Sequence, residues 1–173
     1  MIARYIEPHE RDQLRAALDR IHPRWAVLFD IGLHTGLRVS DICALRVLQF
    51  EHMCSGIGRV YTRKTRKWLE NVSIPGNVAK SVRAYVRMEG LSRGDKLVYS
   101  HPMRKWASVS RQHVERVWRA ATASCGLSSV TPHSLRRSYA VDLYRAGKGL
   151  NEVQRLLGHD RLSTTAIYLL ERR

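Results

Sequence analysis

Leu156-Leu157-Gly158-His159-Asp160-Arg161-Leu162-Ser163-Thr164-Thr165-Ala166-Ile167-Tyr168 is the stretch on which the reading of this chain turns. Asn151 is placed to cap a short helix holding Val153, Leu156 and Leu157, and Gly158 closes it in a C-cap role. His159 falls just beyond that end. A final short helix is predicted from Thr164 to Leu170, and it carries Tyr168 nine residues after His159.

Moving outward, Thr131-Pro132 starts a helix that carries Leu135, Tyr139 and Leu143 and stops at Gly147. Its first turn sets His133 and Arg136 at i, i+3, on one face. Upstream, Val109, His113, Val117, Ala120 and Ala121 mark a helix ending at Cys125-Gly126, and another begins near Asn77 with Val78, Val82, Tyr85 and Val86 on one side. Residues 47–75 change character: Gly56 and Gly58, then Val60-Tyr61-Thr62 and Val72-Ser73-Ile74 before Pro75, predict a small antiparallel sheet. Its loop, Arg63-Lys64-Thr65-Arg66-Lys67, holds four cations in five residues. The first third is helical, with starts at Pro8 and Pro23, a stop at Thr35-Gly36, and a third helix placing Val39, Ile42, Cys43 and Leu45 inward. The expected fold class is α+β, mostly helical, with a small antiparallel β-sheet.

The chain has 173 residues, with 30 Lys and Arg against 15 Asp and Glu, a formal charge of +15. With 44% hydrophobic residues it can bury a sizeable core, so the surplus is positive charge on a globular body and not a disordered basic tail. That charge favours a polyanionic partner, nucleic acid first and an anionic membrane surface second. Cys43, Cys54 and Cys125 are odd in number and widely spaced, with no Cys-x-x-Cys pair, which speaks for a reducing compartment and against a disulfide framework or zinc finger. No apolar signal run follows Met1, and the longest apolar stretch, Trp25 to Leu33, is broken by Asp30 and too short to span a bilayer. A cytoplasmic protein is expected.

The residues able to do chemistry are two arginines (Arg38, at a helix start with Asp41 one turn on, and Arg136), two histidines (His133, His159), Lys64 in the basic loop and Tyr168. Guanidinium groups bind phosphate oxygens bidentately and stay charged. A phenol becomes a covalent nucleophile where a base and positive surroundings favour its anion. Histidine moves protons near neutral pH, and a lysine can protonate a leaving oxygen. The sequence offers no carboxylate pair or metal-ligand cluster of the metal-dependent nuclease kind. The set fits phosphoryl transfer from a phosphodiester to tyrosine, with no metal or other cofactor expected.

These segments resemble the catalytic domain of the tyrosine recombinase, or phage integrase, family. Thr35-Gly36-Leu37-Arg38 is similar to the first catalytic-arginine segment. Thr131-Pro132-His133-Ser134-Leu135-Arg136-Arg137-Ser138 is similar to the His-x-x-Arg box, and Leu156 to Tyr168 matches the final box in composition and spacing. The likeness runs from about Ile6 to Tyr168 and implies one catalytic domain, 1–173, with no N-terminal core-binding domain present.

Carried over by position, the resemblance makes Tyr168 the nucleophile that forms a 3′-phosphotyrosine and frees a 5′-hydroxyl. Arg38 and Arg136 would clamp the phosphate. His133 would assist proton transfer, and His159 would be a further hydrogen-bond donor. Lys64 would be the general acid, favoured over Lys67. Asp41 takes the place of an acidic family residue that supports the first arginine. Replacing either arginine is expected to slow cleavage and leave folding intact.

The implied partners are double-stranded DNA and further copies of the chain, up to a tetramer on DNA with a monomer allowed when free, in a bacterial, phage or mobile-element setting and without a membrane. Two rival functions stand beside recombination: type IB topoisomerase-like nicking and resealing, and a DNA-binding regulator that keeps the fold. Arg63, Arg66, Lys67, Arg104, Lys105 and Arg111 are candidate contacts to the DNA backbone, against a plain reading as solvated surface charge. Trp68 and Trp106, beside cations, are open between DNA contact and packing. Trp25, Tyr85, Trp118 and Tyr139 read as packing, the cysteines as small core hydrophobes, and Gly56-Ile57-Gly58 is set aside as a nucleotide loop because a strand follows it.

Overall fold

The computed structural model describes residues 3–169. Pro8 opens α1 (Pro8–Ile21), where its missing N–H would have had no helical partner. Leu14, Ala17 and Leu18 form its buried face, and the Glu10 carboxylate accepts the Glu7 N–H at 2.9 Å. One extended residue, His22, separates it from α2 (Pro23–Thr35). Helix α2 is buried on nearly every side from Trp25 to Leu33, the signature of a central helix. Its one acid in that run, Asp30, is held by Arg15 of α1 at 2.8 Å, so a charge that could not be buried alone is paired.

The short α3 (Val39–Ile42) leads to α4 (Val47–Cys54), then to an antiparallel hairpin of β1 (Gly58–Thr62) and β2 (Lys67–Val72). Next come α5 (Gly76–Met88) and a second hairpin, β3 (Tyr99–His101) with β4 (Arg104–Ser108). Four helices complete the described chain: α6 (Arg111–Ser124), α7 (His133–Arg145), α8 (Leu150–Leu157) and α9 (Leu162–Leu169).

Several boundaries differ from the sequence reading, each for a physical reason. Residues 47–54 are helix, because Val47, Phe50 and Met53 recur every third position and all three are buried. The second strand is Lys67–Val72 and not 72–74; its residues are mostly exposed, so no alternation of apolar and polar marks it. The single small sheet is two separate hairpins, the second of them with strands of three and five residues. Helix α8 begins at Leu150 behind an extended Gly149, two residues earlier than a cap at Asn151 allows. Leu170, the expected end of the last helix, lies outside the described residues.

The main core surrounds α2. Phe29 stacks on Trp118 of α6 with centroids 6.3 Å apart. Gly32 lets α7 approach: a Cβ there would fall 2.7 Å from Leu135 Cδ1. Trp25, Tyr85 and Trp118 belong to this core, as does Cys43. A second, small cluster of Ala140, Val153 and Leu157, flanked by Tyr139, Leu143, Tyr168 and Leu169, seats α8 and α9 on α7. The opposite side of α7 is tied to the N-terminal segment: the Ile6 N–H donates to Ser138 Oγ, Tyr5 Oη to Asp142 and Arg137 Nη1 to the Ala3 carbonyl, all at 2.9 Å. Helix α7 is thus gripped from both sides. Among the described residues no helix is long and apolar enough to cross a membrane.

Candidate active site

Arg136, one turn into α7, is 1% exposed. Its Nη1 donates to the Gly36 carbonyl at 2.7 Å and its Nη2 to the Leu157 carbonyl at 2.6 Å. One guanidinium therefore joins the end of α2 to the end of α8, segments more than a hundred residues apart in sequence. Burial, and then the nearby Arg38 charge, lower its pKa to about 10, which still leaves it cationic at neutral pH. Gly36 reaches this point with φ +63°, and a Cβ on it would lie 2.3 Å from Tyr139 Cδ1. Gly36→Ala is accordingly expected to cost about 2 kcal/mol or more, from left-handed backbone plus overpacking, read as a lower urea midpoint. An unchanged midpoint would contradict the crowding at this turn.

Arg38 stands at the N-cap of α3, with extended φ and ψ, which turns its side chain away from the helix it precedes. Arg38 Nη1 and Arg136 Nε are both buried with no hydrogen-bond partner among the described residues. Buried donors are almost always paired, so two unpaired guanidinium N–H groups at one place form a receptor for an anion. Asp41 is 1% exposed, and burial raises its pKa against the pull of the neighbouring cations. Its Oδ1 accepts the Arg63 N–H at 3.3 Å and the Ser40 hydroxyl at 3.5 Å. The direct bonds of Asp41 thus run to the β1–β2 turn, and its effect on Arg38 is a through-space charge interaction.

His133, the first residue of α7, shares a hydrogen bond between its Nε2 and Tyr168 Oη. The two rings meet edge-on at 5.5 Å, and the His159 ring meets Tyr168 from another side at 5.1 Å. His159 is buried, its Nδ1 bonded to Thr165 Oγ1 at 2.9 Å within the same thirteen-residue stretch. Lost hydration lowers the His133 pKa to about 4, helped by the charges of Arg136, Arg38, Lys64 and Arg111. Lost hydration and the charges of Arg136, Arg38 and His133 lower His159 to about 3. Both imidazoles are therefore neutral at pH 7, and a neutral His133 with its proton on Nδ1 can accept from the Tyr168 hydroxyl.

These shifts make stability depend on pH. The unfolded chain protonates both histidines near pH 6.5, whereas the folded chain does so only near 3 to 4. The unfolded state therefore binds more protons throughout that window, and acidification destabilises the fold. From pH 6.5 toward 4 the buried His159 should contribute a loss of up to about 1.4 kcal/mol per pH unit, and His133, which is exposed to water, should add clearly less than a second such share. Urea midpoints measured between pH 7 and 5 should fall, and His133→Gln with His159→Gln should flatten the slope. An unaltered slope in the double variant would refute it.

Lys64 lies exposed in the β1–β2 turn, close enough for its charge to act on His133. Lys67 is engaged elsewhere, in an ion pair with Asp160 at 2.6 Å. The structure thus brings Arg38, Lys64, His133, Arg136, His159 and Tyr168 into one neighbourhood, with Asp41 bonded to the turn that carries Lys64. Among the candidate backbone contacts, Arg63, Arg66 and Arg104 are exposed. Lys67 holds Asp160, Lys105 donates to the Glu89 carbonyl, and Arg111 pairs with Glu115 at 2.7 Å. Trp68 and Trp106 are both more than half exposed, with Arg59 lying over the Trp68 ring. Among the described residues no group of His, Cys, Asp and Glu is arranged to hold a metal ion. The sequence reading missed the Gly36 and Leu157 carbonyls, which no side-chain pattern announces. It also missed the Thr165 and Asp160 roles, both of which lie inside the quoted stretch.

A neutral base on a phenol, beside two guanidinium groups with unsaturated donors and a free amine, is an arrangement for attack of tyrosine on a phosphate ester. Comparison with known proteins points the same way. A family model described as the phage integrase family matches residues 4–172. The chain is 33% identical over 168 residues to the tyrosine recombinase XerD of Lacticaseibacillus casei, covering 92% of this chain and 55% of that protein. It is 30% identical over 145 residues to the probable integrase/recombinase YoeC of Bacillus subtilis, covering 82% of this chain and 75% of that protein. The chain spans about half the length of most of the curated relatives it matches. In fold it is similar to the crystal structure of XerA recombinase, with TM-score 0.79 at 23% identity over 99% of this chain and 60% of that one. A lambda integrase dimer bound to a COC′ core site gives TM-score 0.75 at 21% identity, over 99% of this chain and 49% of that one. The chain belongs to the phage integrase family, the tyrosine recombinases.

Proposed function

We propose that this chain carries out site-specific DNA recombination, cleaving and rejoining duplex DNA through a covalent 3′-phosphotyrosine. The observation that carries this reading is the Tyr168 hydroxyl bonded to His133 Nε2, with the two guanidinium groups that hold unpaired N–H donors close enough for their charges to act on His133. In the forward step the Tyr168 oxygen attacks phosphorus, a new O–P bond forms and the P–O5′ bond breaks. The phenol proton passes to His133 Nε2, and the leaving 5′-oxygen takes a proton from Lys64 Nζ. Arg38 and Arg136 hold the non-bridging oxygens, where charge grows in the transition state, and His159 lends a further donor. A base whose pKa is held near 4, by lost hydration first and by the neighbouring cations second, is weak; an incoming phosphate offsets the cationic part and makes His133 a stronger base than in the free protein. Rejoining is the same step reversed with a 5′-hydroxyl from another strand. The phosphotyrosine keeps the energy of the broken diester, so the proposal needs neither ATP nor a metal.

The charge of +15 supports duplex DNA as the partner, with Arg63, Arg66 and Arg104 as free cations for its backbone and Lys67, Lys105 and Arg111 available only by exchanging their present contacts. Lambda integrase has been solved as a dimer on a core site and as a tetramer on a Holliday junction, which supports assembly of several copies on DNA here. Bacterial relatives support a cytoplasmic setting. A second reading, nicking and resealing of one strand, gains from the completeness of the site within a single chain. The test is a supercoiled reporter with two target sites, run with chelator present. Rearranged circles are expected; relaxed circles without rearrangement would give the nicking reading instead.

A further inference from the structure

The turn that carries Lys64 is braced from inside. Thr62 Oγ1 lies 2.5 Å from Thr65 Oγ1 and donates to the Lys67 carbonyl at 2.9 Å, while the Arg66 N–H returns to the Thr62 carbonyl at 2.9 Å. A turn bonded to itself in this way moves as a unit, so the place of Lys64 depends on where the turn docks. On one side it docks on Asp41 Oδ1 through the Arg63 N–H. On the other side the hairpin meets the segment that carries His159. There Leu69 lies against Gly158, where an added Cβ would come within 2.6 Å of it, and Lys67 Nζ pairs with Asp160 at 2.6 Å. Between the hairpin and α8 remains a cleft of about 310 Å³ lined by Trp68, Leu69, Asn151, Gln154 and Arg155, so the strand does not pack along the helix and depends on these tie points. Gln154 fixes the far anchor, donating to the His159 carbonyl at 3.0 Å.

We propose, resting on the recombinase reading of the site, that Asp160 is a positioning residue: by holding Lys67 it docks the β1–β2 turn and sets Lys64 over the scissile phosphate. Lys67 is three residues from Lys64 and Asp160 is next to His159, so the ion pair joins the acid-bearing turn to the nucleophile-bearing segment. Both side chains are more than half exposed, which limits the bias such a pair gives to an equilibrium to about fivefold. It also makes the effect separable from folding.

The test is single-turnover cleavage at saturating DNA on two nicked duplexes, one with the natural 5′-oxygen leaving group and one with a bridging 5′-sulfur, which leaves as thiolate and needs no proton. Asp160→Asn should slow the oxygen substrate about three- to fivefold and leave the sulfur substrate unchanged, and Lys67→Asp should slow the oxygen substrate at least as much. The swapped pair, Lys67→Asp with Asp160→Lys, should return the oxygen rate to within about twofold of wild type. Equal slowing on both substrates, no slowing on either, or no recovery in the swap would overturn the assignment. A wild-type protein forming no adduct on either substrate would instead overturn the recombinase reading itself.

Discussion

Tyr168→Phe should give a folded protein that binds DNA and forms no covalent adduct. The substitution removes one oxygen and leaves the ring, which packs beside Leu157 and Val153 and meets both histidines edge-on. What the fold loses is the hydroxyl bond to His133, which opens to solvent and is worth about 1 kcal/mol. A melting temperature within a few degrees of wild type follows. What the chemistry is expected to lose is the nucleophile, since among the described residues the other hydroxyl bonded to a histidine ring nitrogen at this site is that of Thr165, which is fully buried. The measurement is denaturing electrophoresis after incubation with a nicked suicide duplex in chelator. Wild type should shift the labelled strand to a protein-linked band and the variant should not. An adduct in the variant would remove Tyr168 from the reaction.

The two arginines should part company when each is replaced by alanine. For both, loss of a preorganised positive group should slow cleavage by about 10²-fold or more. Arg38→Ala should be milder in its effect on the fold, because among the described residues it breaks no hydrogen bond of Arg38 and removes a buried unpaired N–H, and what it gives up is the through-space attraction to the buried Asp41. Arg136→Ala strands two buried carbonyls, Gly36 and Leu157, at about 1–3 kcal/mol each, partly offset by no longer burying a charge. A net loss of about 2–4 kcal/mol is expected, seen as a lower urea midpoint, so the expectation that both replacements spare the fold survives for Arg38 alone. Cleavage must then be compared at a temperature where both variants are folded. An Arg136→Ala protein as stable as wild type would show that these two bonds carry no net weight.

The sequence was most legible where one residue does one job at fixed spacing. His133 and Arg136 fall together because i and i+3 share a helix face, and Gly36 and Gly158 both end helices with φ near +60°, as only glycine does cheaply. It was least legible where backbone or a distant partner decides. The carbonyls that receive Arg136 belong to Gly36 and Leu157, and nothing in those side chains marks the contact. Asp41 sits one turn from Arg38, which suggested a local pair, yet its hydrogen bonds reach Arg63 in the hairpin across 22 residues. The β3–β4 hairpin has too few residues for a period to show, and α4 was hidden by the glycines that follow it. Lys67, by sequence a candidate backbone contact and the alternative to Lys64, is held by Asp160, 93 residues away.

The small cluster beneath Tyr168 has a consequence for motion. The main core wraps α2 with some thirty buried apolar side chains, whereas Ala140, Val153 and Leu157 carry α8 and α9. Burial of a Val or Leu contributes roughly 1.5–3 kcal/mol, so the segment bearing Tyr168 is expected to open as a unit of lower local stability than the body it rests on. Its amides should exchange with deuterium long before those of α2, by openings that leave the rest of the molecule native. The placement of Tyr168 is therefore expected to follow a local equilibrium, adjustable by a methyl group at Val153, and linked to Arg136 through the Leu157 carbonyl that the guanidinium holds.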